Sequence, residues 1–230
     1  DCSDTASLEQ ALRADRWYVR RYFCFGNWYL PCESLSFKDY MASRDSKLLN
    51  TWNRKSKKFL ASPGNRLRIV RAPAEVEQAM DQYEQVYGKS WKQAEPYPHF
   101  VRGWARACAE RGWLRLGIAQ VDDVPIAAQF WFTINRRAYI FKLAYDEAYS
   151  AWSAGTLLSA RMFEESLDAD RVVEIDYLTG DDTYKRSWVT HRRERVGIVA
   201  HNLRSVRGIA RALKEAAAEW RQRFASGRPG

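Results

Sequence analysis

The sequence has little that could hold a metal ion. It contains four cysteines and three histidines in 230 residues, and Cys2, Cys24, Cys32 and Cys108 form no CxxC pair. Structural zinc sites need four such ligands at short, regular spacing, so we expect no metal site. A disulfide between Cys24 and Cys32 across a hairpin is one alternative, and reduced thiols in a cytoplasmic protein are the interpretation we favour.

Long hydrophobic runs, internal repeats and low-complexity tracts are also missing. No apolar run approaches the roughly 20 residues that a membrane-spanning helix needs, and the first residues do not resemble a signal peptide. Because the chain also lacks an initiator methionine, we expect a soluble, cytoplasmic segment of a longer protein. Hydrophobic residues make up 46% of the sequence and aromatic residues 14%. This is enough for a packed core and excludes intrinsic disorder.

The net charge of +9 is distributed unevenly. Residues 185–230 hold twelve Lys and Arg against three Asp and Glu, whereas residues 1–184 hold 25 of each kind. A second basic cluster lies within residues 44–58 and includes Arg54. Such clusters attract the phosphates of a nucleotide, a nucleic acid or an anionic lipid. A solvated helix face explains any single cluster equally well.

The order of predicted elements favours an α+β fold, with a mixed, largely antiparallel sheet and helices packed on both faces. Periodicity and capping residues predict helices over about 5–15, 37–61, 75–89, 100–111, 155–163 and 206–224. The span 37–61 is predicted to be one helix or a pair of helices. Strands are predicted over 17–25, 28–30, 67–71, 113–121, 124–133, 137–145, 172–177 and 192–202. Gly26-Asn27 is interpreted as a hairpin turn. The last helix is amphipathic, and we expect its apolar face to pack on the sheet.

The stretch from Val121 to Trp188 combines the features of a chemical site. Two apolar strands follow one another, and the second ends at Tyr145. Small residues then lead into a helix. A short strand follows, ends at Asp176 and continues into a charged loop. A helix that starts directly after a strand presents free backbone N–H groups, which bind phosphate well. The stretch therefore predicts a phosphate-binding site with carboxylates nearby.

These motifs resemble the acetyltransferase domain of CelD-like and Fem-type proteins in the GNAT superfamily. The resemblance rests on Tyr145-Asp146, on Ser153-Ala-Gly-Thr-Leu-Leu158 and, most specifically, on Gly180-Asp-x-x-Tyr184-Lys185. A basic lead-in over residues 37–58 adds to it, and the whole resemblance covers about residues 37–205.

Many members of that family carry two GNAT-like halves. The resemblance therefore implies that residues 37–230 are one GNAT-like acyltransferase domain. Residues 1–36 would then be the tail of a preceding half or an N-terminal extension.

The function implied by the resemblance is transfer of an acyl group from acyl-CoA, with acetyl-CoA as the expected donor, to an amine acceptor. The acceptor would be a small molecule or a precursor of peptidoglycan or polysaccharide, in cell-envelope or polysaccharide biosynthesis. Fem-type members instead take an aminoacyl group from tRNA, so tRNA is the alternative partner. A third hypothesis is a non-catalytic module that binds nucleic acid or an anionic polymer through residues 192–228.

The pyrophosphate loop of the superfamily, Gln/Arg-x-x-Gly-x-Gly/Ala, is matched only at its central Gly155. Trp152 occupies the first place and Leu157 the last. Phosphate binding is still physically sound here, because Gly155 permits close approach and nearby hydroxyls can donate. We therefore assign donor binding to Tyr145, Ser153, Gly155, Thr156 and Leu157.

Acyl transfer to an amine needs a base, donors for the oxyanion and assistance to the leaving group. We assign Asp176 as the base or as the carboxylate that binds the amine. Lys185 is assigned as the cation that stabilises the oxyanion, and Tyr184 as the proton donor. The structural alternatives are a carboxylate paired to arginine, a surface lysine and a packing tyrosine. Substrate binding is assigned to Gln129, Gly180, Asp181 and Arg54. The structural alternative is core packing for Gln129 and Tyr145, and a solvated helix face for Arg54.

Overall fold

A computed structural model describes residues 2–225, and the side chains of residues 5–221. The described chain forms two compact units. The central unit comprises residues 26–193, and the flanking unit comprises the residues before 26 and after 193. These units are defined by contacts within the chain. The predicted boundary after residue 36, between a preceding half or N-terminal extension and the GNAT-like domain, stays a prediction. No helix in the described range is both long and apolar enough to cross a bilayer.

The predicted elements are confirmed to within a few residues, with one exception in the first strand. The helices are α1 (Cys2–Ala14), α2 (Phe37–Ala42), α3 (Ser46–Leu60), α4 (Val76–Gly88), α5 (Pro98–Glu110), α6 (Ala154–Glu164) and α7 (Val206–Ala225). The strands are β1 (Trp17–Pro31), β2 (Arg66–Val70), β3 (Leu114–Val121), β4 (Val124–Ile134), β5 (Arg137–Tyr145), β6 (Glu174–Asp176) and β7 (His191–Asn202). They hydrogen-bond in the order β2-β3-β4-β5-β6-β1-β7.

The sheet is mixed and largely antiparallel, as the sequence predicts. Strands β2, β3, β4 and β5 pair antiparallel, and so do β6 and β1. Strands β5 and β6 are parallel, and their pairing extends only from Arg137↔Glu174 to Tyr139↔Asp176. Beyond that point β5 continues to Tyr145 without a strand on its β6 side. This splayed end is the feature that positions the site.

Helices of the central unit cover both faces of its sheet. On one face α4 and α5 pack on β3 and β4, and Met80 and Phe130 lie in this core without exposure. On the other face α2, α3 and α6 form a core with a column of stacked rings. In that column Tyr40 stacks on Phe163 at 4.9 Å, and Phe163 stacks on Trp188 at 5.2 Å. The burial of apolar and aromatic surface on both faces stabilises the unit.

The predicted hairpin at Gly26-Asn27 is wrong, because β1 is one continuous strand. Asn27 is extended and buried, and its side-chain amide donates to Asp176 Oδ1 at 2.5 Å and to the Leu178 carbonyl at 2.7 Å. Cys24 and Cys32 are free thiols. Eight residues of extended strand separate them by about 26 Å, which is too far for a disulfide.

The apolar face of α7 does not pack as predicted. Val206 is 85% exposed and Leu213 is 66% exposed. The buried positions of the helix are small, and Ala212 is one of them. In the flanking unit Glu215 forms an ion pair with Arg20 on β1, with an N–O distance of 2.8 Å. The prediction failed because periodicity reveals an apolar stripe but not which face of the helix is covered.

The ring column depends on a hydrogen bond from Tyr40, which is 0% exposed and whose hydroxyl donates to the Trp188 carbonyl at 2.7 Å. We expect Tyr40→Phe to lower the free energy of unfolding by about 1 kcal/mol, because it removes one buried hydrogen bond. Tyr40→Ala should cost about 3–5 kcal/mol, because it also leaves a cavity. Denaturant titration measures both changes. Tyr139→Phe is the control, since no described residue bonds to that hydroxyl; an equal loss in the control would contradict the interpretation.

Candidate functional site

A cavity of about 450 Å³ opens where β5 and β6 separate. One wall is the free edge of β5, and the other is the chain that follows β6. The segment between α4 and α5 contributes Lys92 to the lining. The lining residues are Lys92, Ile140, Phe141, Lys142, Leu143, Tyr177, Leu178, Thr179, Asp182, Tyr184 and Lys185.

A β-bulge lies on the wall that β5 contributes. Lys142 pairs with Phe130 and Ile140 pairs with Trp131, so Phe141 has no Cα partner on β4. Because β6 has ended, this part of β5 also has no strand neighbour on the cavity side. Bulges often occur next to active sites, where they redirect backbone groups. The free edge therefore offers backbone N–H and C=O groups to a bound molecule.

Lys185 is a buried lysine at the base of the loop that follows β6. Its side chain is 4% exposed, and its ammonium group contacts Asp182 Oδ2 at 3.1 Å. It also donates to the carbonyls of Thr179 at 2.8 Å and Gly180 at 3.0 Å. The surface-lysine alternative is therefore wrong. Because all three ammonium protons have acceptors, Lys185→Ala would reduce stability as well as any activity.

Gly180 permits the tight course of this loop. Its φ of +98° is strained for residues that carry a Cβ atom. A Cβ atom at this position would also lie 3.1 Å from Lys185 Nζ and 3.1 Å from Asp182 Oδ2. Gly180 therefore has a structural role, which is to allow the tight course of the loop, in addition to its predicted role in substrate binding.

Tyr184 is the most accessible of the predicted catalytic residues, with 45% of its surface exposed. Its ring meets Tyr177 edge-on at 6.1 Å. Partial burial of the hydroxyl and the nearby Asp182 carboxylate raise the pKa of Tyr184 to about 12. The hydroxyl consequently keeps its proton at neutral pH, which suits a proton donor and not a base.

Asp176 is buried and belongs to a structural network and not to the cavity lining. Its Oδ1 accepts from Asn27 and from the Leu178 N–H at 2.6 Å. Its Oδ2 accepts from Arg193 Nη2 at 2.6 Å. Arg193 also binds Glu174 and lies 4.1 Å from the centre of the Tyr29 ring. The geometry thus matches a carboxylate that pairs with arginine and caps a turn.

Asp181 lies on the side of the loop that faces Arg192. Its carboxylate accepts from Arg192 Nη2 at 2.7 Å and from Trp28 Nε1 at 2.7 Å. These bonds lower the pKa of Asp181 to about 2, so the pairing is lost only when the pH falls to about 2. A Cβ atom on Gly26 would lie 2.8 Å from Asp181 Cγ and 2.7 Å from Arg192 Nη2. Gly26 therefore serves close packing in a strand and not a turn.

A second cavity, of about 240 Å³, lies at the start of α6. Four of the predicted donor-binding residues line it: Tyr145, Ser153, Gly155 and Thr156. Leu157 does not, because its side chain is buried in the core. No side chain caps α6, and Ser153 has a left-handed conformation with φ of 54°. The first N–H groups of the helix are therefore available to an anion.

The charges around this second cavity are mixed. None of the described residues that line it is Lys or Arg, and one of them is the buried Asp146. Lys55 donates to the Ala151 carbonyl at 2.6 Å, and Lys58 lies over the Trp152 ring at 5.1 Å. These lysines place positive charge beside the rim. The residues fit a phosphate group held by helix N–H groups and hydroxyls, with the lysines nearby.

Gly155 does not face open space. A Cβ atom there would lie 3.2 Å from Tyr145 Cδ1, so the glycine allows this ring to pack on the start of the helix. Trp91 also packs on Tyr145, with 4.5 Å between the ring centres. Substitution of Gly155 by a bulky residue would therefore disturb packing as well as ligand approach.

The remaining predicted substrate-binding residues do not reach the cavity between β5 and β6. Gln129 is 2% exposed and bonds to Ser159 at 2.7 Å and to Trp131 at 2.9 Å, so its contacts are those of a core residue. Arg54 lies on α3 and lines a separate basic hollow with Lys47 and Lys57.

Sequence reasoning missed three charged residues of the first cavity: Lys92, Lys142 and Asp182. Asp182 is inside the Gly180–Lys185 motif and could have been chosen from its charge. Lys142 interrupts an apolar strand, which is a weak signal of a polar cavity. Lys92 lies in a loop 50 residues before Lys142, and no local sequence pattern indicates that it belongs to a cavity.

Comparison with known proteins agrees with this fold. The family described as acetyltransferase (GNAT) domain matches residues 46–186, which is more than half of the chain. A search of curated proteins found no match.

Solved structures show the same fold. The crystal structure of FemX has a TM-score of 0.67 and 8% identity, over 85% of this chain and 68% of that one. L-PGS from Bacillus licheniformis has a TM-score of 0.57 and 9% identity, over 86% and 66% of the two chains. A conserved protein of unknown function from Bacteroides thetaiotaomicron has a TM-score of 0.59 and 15% identity, over 86% and 67%. The chain thus spans about two thirds of these structures. The resemblance to the GNAT family is confirmed by the family match, and the fold is shared with FemX.

The network around Asp176 predicts a loss of stability when its charge is removed. We expect Asp176→Asn to lower the free energy of unfolding by about 2 kcal/mol, because a charged hydrogen bond to Arg193 is lost. Arg193→Gln should show a similar loss, and the double variant should cost less than the sum of the two. Denaturant titrations of the three variants measure this coupling. Glu147→Gln, at an exposed position, is the control; full additivity would rule out the network.

Proposed function

The chain belongs to the family of acetyltransferase (GNAT) domains, and we propose that it is an N-acyltransferase that moves an acyl group from acyl-CoA to an amine. Acetyl-CoA is the donor to test first. In this proposal the acceptor is an amine of a small molecule or of a cell-envelope or polysaccharide precursor, and the reaction takes place in the cytoplasm.

The observation that carries the proposal is the placement of the two cavities along one strand. The cavity at the start of α6 includes Tyr145, the last residue of β5. The cavity between β5 and β6 includes residues 140–143 of the same strand. A long donor could therefore place its phosphates at α6 and its acyl group at the splayed end. The free backbone groups of β5 between the two cavities could hydrogen-bond to amide groups of the donor.

The chemistry proposed for the splayed end follows from the groups that line it. The amine nitrogen attacks the acyl carbon, a C–N bond forms, and the carbonyl oxygen gains negative charge. Backbone N–H groups at the Phe141 bulge and the positive charge of Lys185 would stabilise that oxygen. The C–S bond then breaks, and Tyr184 would protonate the leaving thiolate. Asp182, which lines the cavity, is suited to bind the acceptor ammonium and to receive its proton.

Asp176 and Asp181 have a different part in this proposal. Each is engaged by at least two donors, Asp176 by Asn27 and Arg193 and Asp181 by Trp28 and Arg192. Neither is among the residues that line the cavity between β5 and β6. We therefore propose that they position the loop that carries Tyr184 and Lys185.

An aminoacyl-tRNA donor is the second candidate, and two observations on the α6 cavity favour it. The Tyr145 ring packs against Gly155, where a pyrophosphate would approach. In addition, no Lys or Arg is found among the described residues of that lining. Mass spectrometry of the protein incubated with acyl-CoAs, and separately with aminoacyl-tRNAs, in the presence of a mixture of amines tests both donors. The donor that yields a new amide product is the donor of the enzyme. If neither donor yields a product, a non-catalytic binding module is favoured.

Placing a carboxylate at the start of α6 tests the donor site. We expect Thr156→Glu to weaken acyl-CoA binding by about tenfold or more, because the new charge repels the donor phosphates. Helix stability should be kept, since acidic residues in the first turn interact favourably with the helix dipole. Calorimetric titration and thermal melts measure the two properties. Gln78→Glu adds the same charge to the first turn of α4, away from both cavities; equal binding by Thr156→Glu and this control would place the phosphates elsewhere.

The role of Tyr184 gives a further prediction. We expect Tyr184→Phe to lower kcat by about a hundredfold while the melting temperature stays unchanged, because general-acid catalysis is lost and no described residue bonds to that hydroxyl. Steady-state rates with the active substrate pair measure the effect. Tyr139→Phe is the matched control. A normal kcat in Tyr184→Phe would assign leaving-group protonation to another group.

A further inference from the structure

The cavity between β5 and β6 carries an excess of positive charge. Three lysines line it, and Asp182 is the one carboxylate among the described lining residues. Asp182 is already paired with Lys185. Glu95, which pairs with Lys142, lies outside the lining. The space is therefore surrounded by more ammonium groups than carboxylates.

Lys92 differs from the other two lysines because it has no carboxylate partner within ion-pair distance among the described side chains. Its ammonium group instead lies 5.7 Å from the centre of the Trp91 ring and 5.8 Å from that of Tyr87. Trp91 is itself packed on Tyr145 at the end of β5. Aromatic rings thus lie beside a partly buried cation in the lining of the cavity.

Without a bound ligand, the charged form of Lys92 is destabilised by its surroundings. Burial is the main cause that lowers its pKa, and the ammonium groups of Lys142 and Lys185 lower it further. Asp182 and Glu95 act in the opposite direction and do not offset these effects. A cation that lacks a partner in a partly desolvated place would be stabilised by an anionic ligand.

We propose that Lys92, assisted by Lys142, binds an anionic group of the substrate, a carboxylate or a phosphate, inside the cavity between β5 and β6. This inference rests on the proposed acyl transfer and narrows its substrate class. The anion belongs either to the amine acceptor, which would then be an amino acid or an amino-bearing phosphate compound, or to the donor. In the first case Lys92 orients the acceptor so that its amine lies near Tyr184 and the Phe141 bulge.

Anion binding at Lys92 can be tested without any turnover. The protein is treated with a limiting amount of acetic anhydride, and peptide mass spectrometry follows the labelling of each lysine. Inorganic phosphate and malonate are the probes. We expect either probe to slow the labelling of Lys92 severalfold and to leave the exposed Lys38 unaffected. Equal labelling of Lys92 with and without both probes would overturn the proposal, whatever becomes of the acyltransferase assignment.

Kinetics with an active substrate pair then identify the source of the anion. Loss of a charged contact should raise the KM of the substrate that carries the anion by about ten- to a hundredfold, with kcat little changed. Lys92→Gln should show this rise, Lys92→Arg should restore most of the affinity, and Lys89→Gln, at an exposed neighbouring position, should behave as the parent. A rise confined to the acceptor KM assigns the anion to the acceptor, and a rise confined to the donor KM assigns it to the donor. Parental KM values for both substrates in Lys92→Gln would overturn the proposal.

Discussion

Strands β5 and β6 pair over three residues because the chain is turned away directly after Asp176. Asn27, Arg193 and the Leu178 N–H all bond to that carboxylate, and Leu178 itself has a positive φ of 53°. A longer β6 would pair with the rest of β5 and leave no cavity. The network joins β1, β6 and β7 residues of the central unit, so the opening depends on contacts between distant parts of the chain.

Buried charge in this region is used chiefly to hold loops in place. Lys185 binds two carbonyls and one carboxylate, and the buried Asp176 binds Asn27, Arg193 and the Leu178 N–H. Such groups lose much hydration on burial, so each needs a nearly complete set of partners. Lys92 is different because its partners are aromatic rings. Lys142 and Lys185 each have a carboxylate partner, whereas Lys92 has none among the described side chains. We therefore expect the cavity to prefer anions.

Glycines contribute to the site in two ways that sequence patterns do not separate. Gly180 adopts a backbone conformation that favours glycine, whereas Gly26 and Gly155 are needed because other side chains approach closely. In the sequence, Gly26-Asn27 reads as a turn, because this pair is common in hairpins. Only the neighbouring Asp181–Arg192 pair explains why a glycine is present in the middle of a strand.

The sequence by itself determined the elements, the sheet type and the position of the α6 start, because periodicity, capping and turn residues act over a few neighbours. Ser36 caps α2 as its spacing predicts, and Asn135 and Arg136 form the turn between β4 and β5 with positive φ values. The motif Gly180-Asp-x-x-Tyr184-Lys185 also lies in the loop that lines the cavity between β5 and β6. Tertiary structure alone decided which side chains of that loop reach the cavity. It also decided that Asp176 faces Arg193, that α7 leaves its apolar stripe exposed, and that Lys92 lies beside β5 and the loop after β6. These outcomes depend on contacts between segments far apart in the chain, which local patterns do not encode.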